Sequence, residues 1–499
     1  MRFPRSSGTL VHPTSFPSKY GMGDLGYEAK TFISSLEETG QTIWQVLPLS
    51  PTGYGNSPYA SYSAFAGNHY LISPDILKEK GLLTQTETEN AELPVTDRAD
   101  YDNSYRQKDE LYKKASRRFY ENITPSSQEK LEVFKESNKV WLDDYCLFIA
   151  CLKANGHKSW NLWDPELAQR KPKTIAAFKK EYQDEIKYQT WLQFEFFSQW
   201  YALKDYANSK NVRVIGDIPI FVDHNSADVW SNPKYFEVDK QGNRKLVAGV
   251  PPDYFSETGQ LWGNPLYNWK TLEKDNYRWW IDRFRQMFDL FDAIRVDHFR
   301  GFDAYWQVSA NEKNAINGKW VNGPGAKLFN TIKNELGELP IIAEDLGVIT
   351  PSVENLRDDF LFPGMKILHF AFNSDPQNSY LPHNYPQNCV VYTGTHDNDT
   401  TNGWYNSAPE HDRHWMREYT RSDGTKANWE LIRLAMLSVA DQAIIPLQDF
   451  MNLGTSHRMN TPGTVQNNWL WRYTPDMLKK LDKNRIKHLV DISNRKTDT

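Results

Sequence analysis

The chain has 499 residues, 24% of them charged and 39% hydrophobic, and 58 basic against 63 acidic side chains leave a formal net charge of -5. No basic block stands out, so nucleic acid is not an expected partner. No apolar run approaches the roughly 18 residues that span a bilayer, and the start "MRFPRSSGTL" lacks the apolar stretch of a signal peptide, so no membrane partner and a cytoplasmic home are expected.

Short β-branched runs recur along the chain, each ending in a polar or turn cluster: "GTLVHPTS" (8–15), "TIWQVLPLS" (42–50), "VRVIGDIPIFV" (212–222), "DAIRVDHFRG" (292–301), "LPIIAEDLG" (339–347), "GMKILHFAF" (364–372), "NCVVYTGTHD" (388–397) and "QAIIPLQDF" (442–450). Helical stretches separate most of them. "YEAKTFISSLEETG" follows the first, "KDNYRWWIDRFRQMFDLF" precedes the fourth and "GPGAKLFNTIKNELG" the fifth, two of these closing on a glycine C-cap. Eight alternations with apolar strands predict an α/β fold, a (β/α)8 TIM barrel over residues 1–499. A doubly wound sheet would need a Gly-rich phosphate turn after the first strand, and no G-x-G-x-x-G is there.

Two gaps are too long for ordinary connections. Residues 75–190 are polar with helical periodicity and are expected to form a helical subdomain between strands two and three. Residues 223–290, between strands three and four, hold the Pro/Gly/aromatic loop 249–265 and are expected to wall or cover the barrel mouth. The tail "PDMLKKLDKNRIKHLVDIS" reads as one closing helix, with no C-terminal β domain.

Aromatic residues make up 14% of the chain, and many lie in polar loops such as "SPTGYGNSPYASYSAF" and "PPDYFSETGQLWGNPLYNW". Such aromatics suit a flat ligand with weakly polar faces, a sugar ring being the obvious case; anchoring of loops is the plain alternative. Cys146, Cys151 and Cys389 show no metal-ligand spacing and read as reduced core residues.

In "AIRVD", alternation turns Ile294 and Val296 toward the helices and Ala293, Arg295 and Asp297 into the barrel. Arg295 and Asp297 can then form a structural ion pair. Asp297, however, ends its strand, and barrel active sites are built at those C-terminal ends. Glu344, Asp397, Asp217 and Asp449 share that address, with His396 beside them. Two carboxylates of unlike protonation are what glycosidic bond cleavage requires: one nucleophile or base and one acid. A third can stabilise the positive charge of the transition state. Metal-assisted hydrolysis is the rival for such a mouth, but the first strand offers only His12 and no H-x-H or HExxH pairing occurs, so no metal or other cofactor is expected.

"IRVDHFRG", "IIAEDLG" and "TGTHDNDT" resemble three segments that characterise the α-amylase clan. With "LHPTSFPSKYGMGDLG", "WQVLPLSPTGYGNSPYASYSAFAGN", "GDIPIFV", "GVPPDYFSETGQLWGNPLYNW" and "NTPGT", the chain resembles glycoside hydrolase family 77, the 4-α-glucanotransferases, from residue 8 to about 472. The resemblance implies Asp297 as nucleophile, Glu344 as general acid/base and Asp397 as transition-state stabiliser. It implies that Arg295 and His396 hold the donor sugar, with Tyr59 stacking on its ring and Asp217 nearby. Asp253 and Trp262 fall on the family's mobile loop over the acceptor side, Tyr54 matches an aromatic of its secondary glucan-binding region, and Asn468 in "QNNW" is carried over with them. The implied partners are maltodextrin donors and acceptors, joined in a retaining double displacement for which Glu344 needs a raised pKa. Asp345 and Asp399, each adjoining or near an implied catalytic position, are expected to anchor loops or to support the catalytic side chains from behind, and His298 fits either a structural or a site role. A glucan hydrolase, a non-catalytic glucan-binding protein and an EDTA-sensitive metal hydrolase are the competing readings.

Overall fold

Strand β1 (Ser6–Leu10), buried at every position, pairs in parallel with β2 (Ile43–Gln45) on one side, and its far edge is taken by a strand from the other end of the chain. The computed structural model describes residues 2–252 and 256–496, apart from the side chain of Tyr54. The remaining strands are β3 (Arg213–Pro219), β4 (Leu246–Val250), β5 (Gln260–Pro265), β6 (Ala293–Asp297), β7 (Ala304–Ser309), β8 (Lys319–Asn322), β9 (Ile341–Ala343), β10 (Gly364–Ile367), β11 (Cys389–Tyr392) and β12 (Gln442–Pro446).

Eight of these form one parallel sheet in the order β10-β11-β12-β1-β2-β3-β6-β9. The Ala343 N–H at the end of β9 donates to the Pro363 carbonyl just before β10 at 2.9 Å, which brings the two edges together as a nearly closed TIM-like barrel. Each of the eight apolar runs supplies one strand, because strands buried on both faces read as continuous apolar segments. Helix Tyr27–Thr39 returns the chain from β1 to β2 and ends at Gly40, whose φ of 74° lets its N–H reach the Leu36 and Glu37 carbonyls. Helix Arg278–Leu290 lays Trp280, Ile281, Phe284 and Met287 against the barrel before β6. Gly216 in β3 is needed for packing: a Cβ there would sit 2.2 Å from the Phe291 ring.

Between β2 and β3 the chain runs through helices that include Tyr101–Glu121, Pro125–Ser137, Leu142–Ala154 and the 27-residue Gln183–Ser209. Between β3 and β6 it forms β4 and β5. These combine with β7 and β8, from the excursion after β6, into a four-stranded antiparallel sheet ordered β5-β4-β7-β8. The closing segment is two helices, Pro475–Lys479 and Lys483–Ile492, rather than one: Asp482 accepts the Arg485 N–H and starts the second. Among the described residues no helix is long and apolar enough to cross a membrane.

Candidate active site

Parallel pairing sets the site. Asp217 of β3 lies opposite Arg295 of β6, and Val296 lies opposite Ala343 of β9, so Asp297 and Glu344 each sit one residue past a paired position on neighbouring strands. The Glu344 N–H donates to the Val296 carbonyl at 3.1 Å, carrying that pairing up to the mouth. Adjacent strands run about 4.8 Å apart, and the shared parity sends both carboxylates into the same hollow.

Arg295 is the hub beneath them. Its side chain, 5% exposed, donates from Nη1 to Asp217 Oδ2 at 2.7 Å and from Nη2 to Asp297 Oδ1 at 2.9 Å. Tyr59, from the loop after β2, donates its hydroxyl to the same Asp217 Oδ2 at 2.7 Å. Burial and the like charge of Asp297 push Asp217 up, while Arg295 and Tyr59 oppose them by donating to it.

Glu344 is held by backbone. The His298 N–H donates to Oε2 at 2.6 Å and the Leu346 N–H to Oε1 at 2.9 Å. His298 can aim its N–H there because it adopts a left-handed φ of 52° directly after β6. Burial above all, with Asp297 adding to it, pushes the Glu344 carboxyl up to about 7; Arg295 and the two N–H groups pull the other way. The hollow therefore holds one carboxyl that burial pushes toward its neutral form beside Asp297, which is paired to a guanidinium.

Asp397 and His396 follow β11. His396 Nε2 lies 3.4 Å from Asp397 Oδ2, and burial lowers the imidazole, so this is contact with a neutral ring rather than an ion pair. The His396 ring stacks on Tyr59 at 5.2 Å between centroids with 12° between planes, and Trp469 leans on both. Asn460 donates its Nδ2 to Asp397 Oδ1 at 2.6 Å, and Arg458 Nη2 donates to the Asp397 carbonyl at 2.6 Å.

A family model described as 4-alpha-glucanotransferase matches residues 11–479. The chain belongs to that family. The 4-alpha-glucanotransferase of Synechocystis sp. is 47% identical over 496 residues, covering 99% of this chain and 98% of its own, and that of Thermus thermophilus is 46% identical over 503, covering 99% and 100%. The amylomaltase of Streptococcus agalactiae, solved in complex with acarbose, superposes with a TM-score of 0.96 at 36% identity, over 98% of this chain and 99% of that one. The family is one of transglycosylating enzymes, and the chain is an enzyme of that kind.

The residues named from the sequence divide into those gathered in the hollow and those outside it. Asp217, Arg295, Asp297, Glu344, His396, Asp397 and Tyr59 are linked through the contacts above. Trp262 of β5 joins from the four-stranded sheet, 38% exposed, with its ring edge-on to His298 at 4.8 Å. Asn468 stands back: its carboxamide accepts the Thr461 N–H and donates to Thr464, bracing the turn 461–464. Asp253 and the side chain of Tyr54 lie outside the described residues.

Asp449 does not reach the mouth. It sits on the helical turn after β12, where the Thr393 and Thr401 hydroxyls and the Thr401 N–H occupy its oxygens. Asp345 is tied to Arg357 and the Met365 N–H, and Asp399 to Thr455 and the Thr400 N–H, so both anchor loops. Sequence reasoning passed over Asn460 and Arg458. The signal was available for Asn460, which opens the "NTPGT" segment. Among the described residues no group of three His, Cys, Asp or Glu side chains is placed to hold a metal ion.

Proposed function

We propose that the chain transfers α-1,4-glucan segments between maltodextrins by a retaining double displacement, with Asp297 as nucleophile, Glu344 as general acid/base and Asp397 as transition-state stabiliser. The observation that carries this reading is the pairing of unlike carboxyls on neighbouring strand ends: Glu344 raised to about 7 beside Asp297, which is held to Arg295 at 2.9 Å. A retaining mechanism asks for that division of labour.

In the first half-reaction an Asp297 oxygen attacks the anomeric carbon of the donor while Glu344 gives its proton to the glycosidic oxygen, and the leaving glucan departs with that proton. In the second, ionised Glu344 takes the proton of an acceptor's 4-hydroxyl. The resulting oxygen attacks the anomeric carbon and releases Asp297, which restores both carboxyls. Asp397 faces the positive charge that builds on the sugar ring, braced by Asn460 at 2.6 Å. Arg295, Asp217, His396 and Tyr59 form the floor and wall of the donor sugar's site, and Tyr59 offers its ring for stacking.

On the same reading Trp262 and Asp253 flank the acceptor, Tyr54 belongs to a second glucan contact and Asn468 shapes the loop around the donor. The helices of 75–190 serve as an inserted subdomain, and the excursion 223–290 covers the mouth through loop 249–265. An apolar cover that keeps water from the glycosyl-enzyme favours transfer over hydrolysis. Incubation with maltotriose tests the reading: glucose with a ladder of longer maltodextrins is expected, whereas glucose and maltose alone would make the protein a hydrolase, and unchanged maltotriose a binding protein.

A further inference from the structure

The chain has 18 tryptophans, and among the described residues only two are exposed. One is Trp262. The other is Trp320 on β8, 40% exposed and beside a groove of about 530 Å³ that also takes in Arg300, Asp303, Asn322 and Val348. We infer that this groove is an outer subsite of the acceptor glucan, in which Trp320 carries a sugar ring and Arg300, Asn322 and Asp303 engage its hydroxyls.

On the edge strand β8, Trp320 meets Trp306 edge-on at 5.3 Å and keeps 40% of its surface open beside the groove, enough to receive a sugar ring. Here polar groups with spare capacity surround it. The Arg300 guanidinium lies over the Trp320 ring, 3.8 Å from its centroid, and of its nitrogens only Nη1 is engaged, on the Val348 carbonyl. Asp303 receives the Ser352 hydroxyl on Oδ2 at 2.8 Å, while no protein donor meets Oδ1. Asn322 is exposed, and its carboxamide has no protein partner. An aromatic platform rimmed by a guanidinium, a carboxamide and a carboxylate can stack against a pyranose and serve both the donors and the acceptors among its hydroxyls.

Continuity with the candidate active site selects the occupant. Arg300 is two residues past His298, whose N–H holds Glu344, and Val348 is four residues past Glu344, a reach of at most about 14 Å. The groove thus opens from the loops after β6 and β9. The donor-side residues Tyr59, His396 and Asp397 come instead from the loops after β2 and β11. A chain whose 4-hydroxyl reaches Glu344 would run its following glucose units along this wall. Glucose itself would not reach it.

The inference rests on the proposed transfer reaction and is tested with a donor whose non-reducing 4-hydroxyl is blocked, so that it cannot serve as acceptor. The readout is the ratio of kcat/KM for maltoheptaose to that for glucose as acceptor, measured on the full chain. Hot spots, where truncation costs about 1 kcal/mol or more, are enriched in tryptophan, and about 1 kcal/mol corresponds to a ratio that falls about fivefold in Trp320→Ala. It is expected to fall also in Asn322→Ala and to hold in Trp320→Tyr. A ratio unchanged from wild type in Trp320→Ala and Asn322→Ala overturns the inference, as does an equal loss with both acceptors. Wild-type protein that transfers to neither acceptor would instead overturn the transfer reading itself.

Discussion

Replacing Glu344 by Gln is expected to remove a pH-dependent contribution to stability that a carboxyl with a raised pKa makes. Burial and Asp297 raise this carboxyl from the ordinary 4.5 to about 7. An acid whose folded value lies above its unfolded one favours the neutral form in the fold. Its stabilising effect is therefore present at low pH and is lost as pH rises from about 4.5 to about 7, on the order of 3 kcal/mol in all. Gln does not titrate and keeps no such dependence. It also carries a fixed penalty, because the His298 and Leu346 N–H groups at 2.6 and 2.9 Å face two oxygens and the amide offers one. Leaving one donor unmet costs about 1–3 kcal/mol at every pH. For 499 residues the unfolding entropy is about 1 kcal/mol per kelvin, so 1 kcal/mol moves Tm by about 1 °C. Differential scanning calorimetry at one scan rate is expected to find Glu344→Gln less stable at pH 5, with the gap moving in the variant's favour by about 3 °C on going to pH 8. A gap that stays flat with pH, or moves the other way, would refute the raised carboxyl.

On the proposed mechanism the same proton governs activity: kcat is expected to fall as pH rises through about 7, where Glu344 would lose the proton it is to donate, and a stopped-time pH series that climbs steadily to pH 9 would contradict that. Asp297→Asn is expected to remove transfer by at least about a thousandfold while circular dichroism and Tm stay near wild type; substantial residual transfer would remove Asp297 as nucleophile. Asp217→Ala leaves buried Arg295 with one carboxylate instead of two and strands the Tyr59 hydroxyl, so a loss of about 3–5 kcal/mol is expected in urea unfolding, and a change below about 1 kcal/mol would show the pair to be dispensable.

Much of the barrel was legible because its strands are short apolar runs ending in turns, and parallel strands buried on both faces must read that way. The alternation in "AIRVD" foretold the inward Arg295 and Asp297, and the register of β6 with β3 and β9 explains why their partners are Asp217 and Glu344. The four-stranded sheet was harder to see. β8 is mostly exposed and β4 carries a glycine at its bend, so neither shows the apolar alternation that betrays a strand, and the pairing that joins the two hairpins, β4 with β7, links residues about 60 apart. The tail read as one helix because Lys480–Asp482 keep helical composition; what divides it is a side-chain cap at Asp482, a contact that periodicity does not register. Asp449 looked like its neighbours because it too follows an apolar run, yet a helical turn carries it away to Thr393 and Thr401. A residue's distance from its strand end is legible, but the direction in which the chain then turns is not.

The proposed covalent step is open to capture. A 5-fluoro-α-glucosyl fluoride, which forms glycosyl-enzymes quickly and releases them slowly, is to be added to the full chain, followed by proteolysis and mass spectrometry of the peptides. The account predicts one added sugar on the peptide containing Asp297, and none in Asp297→Asn. A sugar on another carboxylate, or no adduct under conditions where wild type turns the fluoride over, would contradict it.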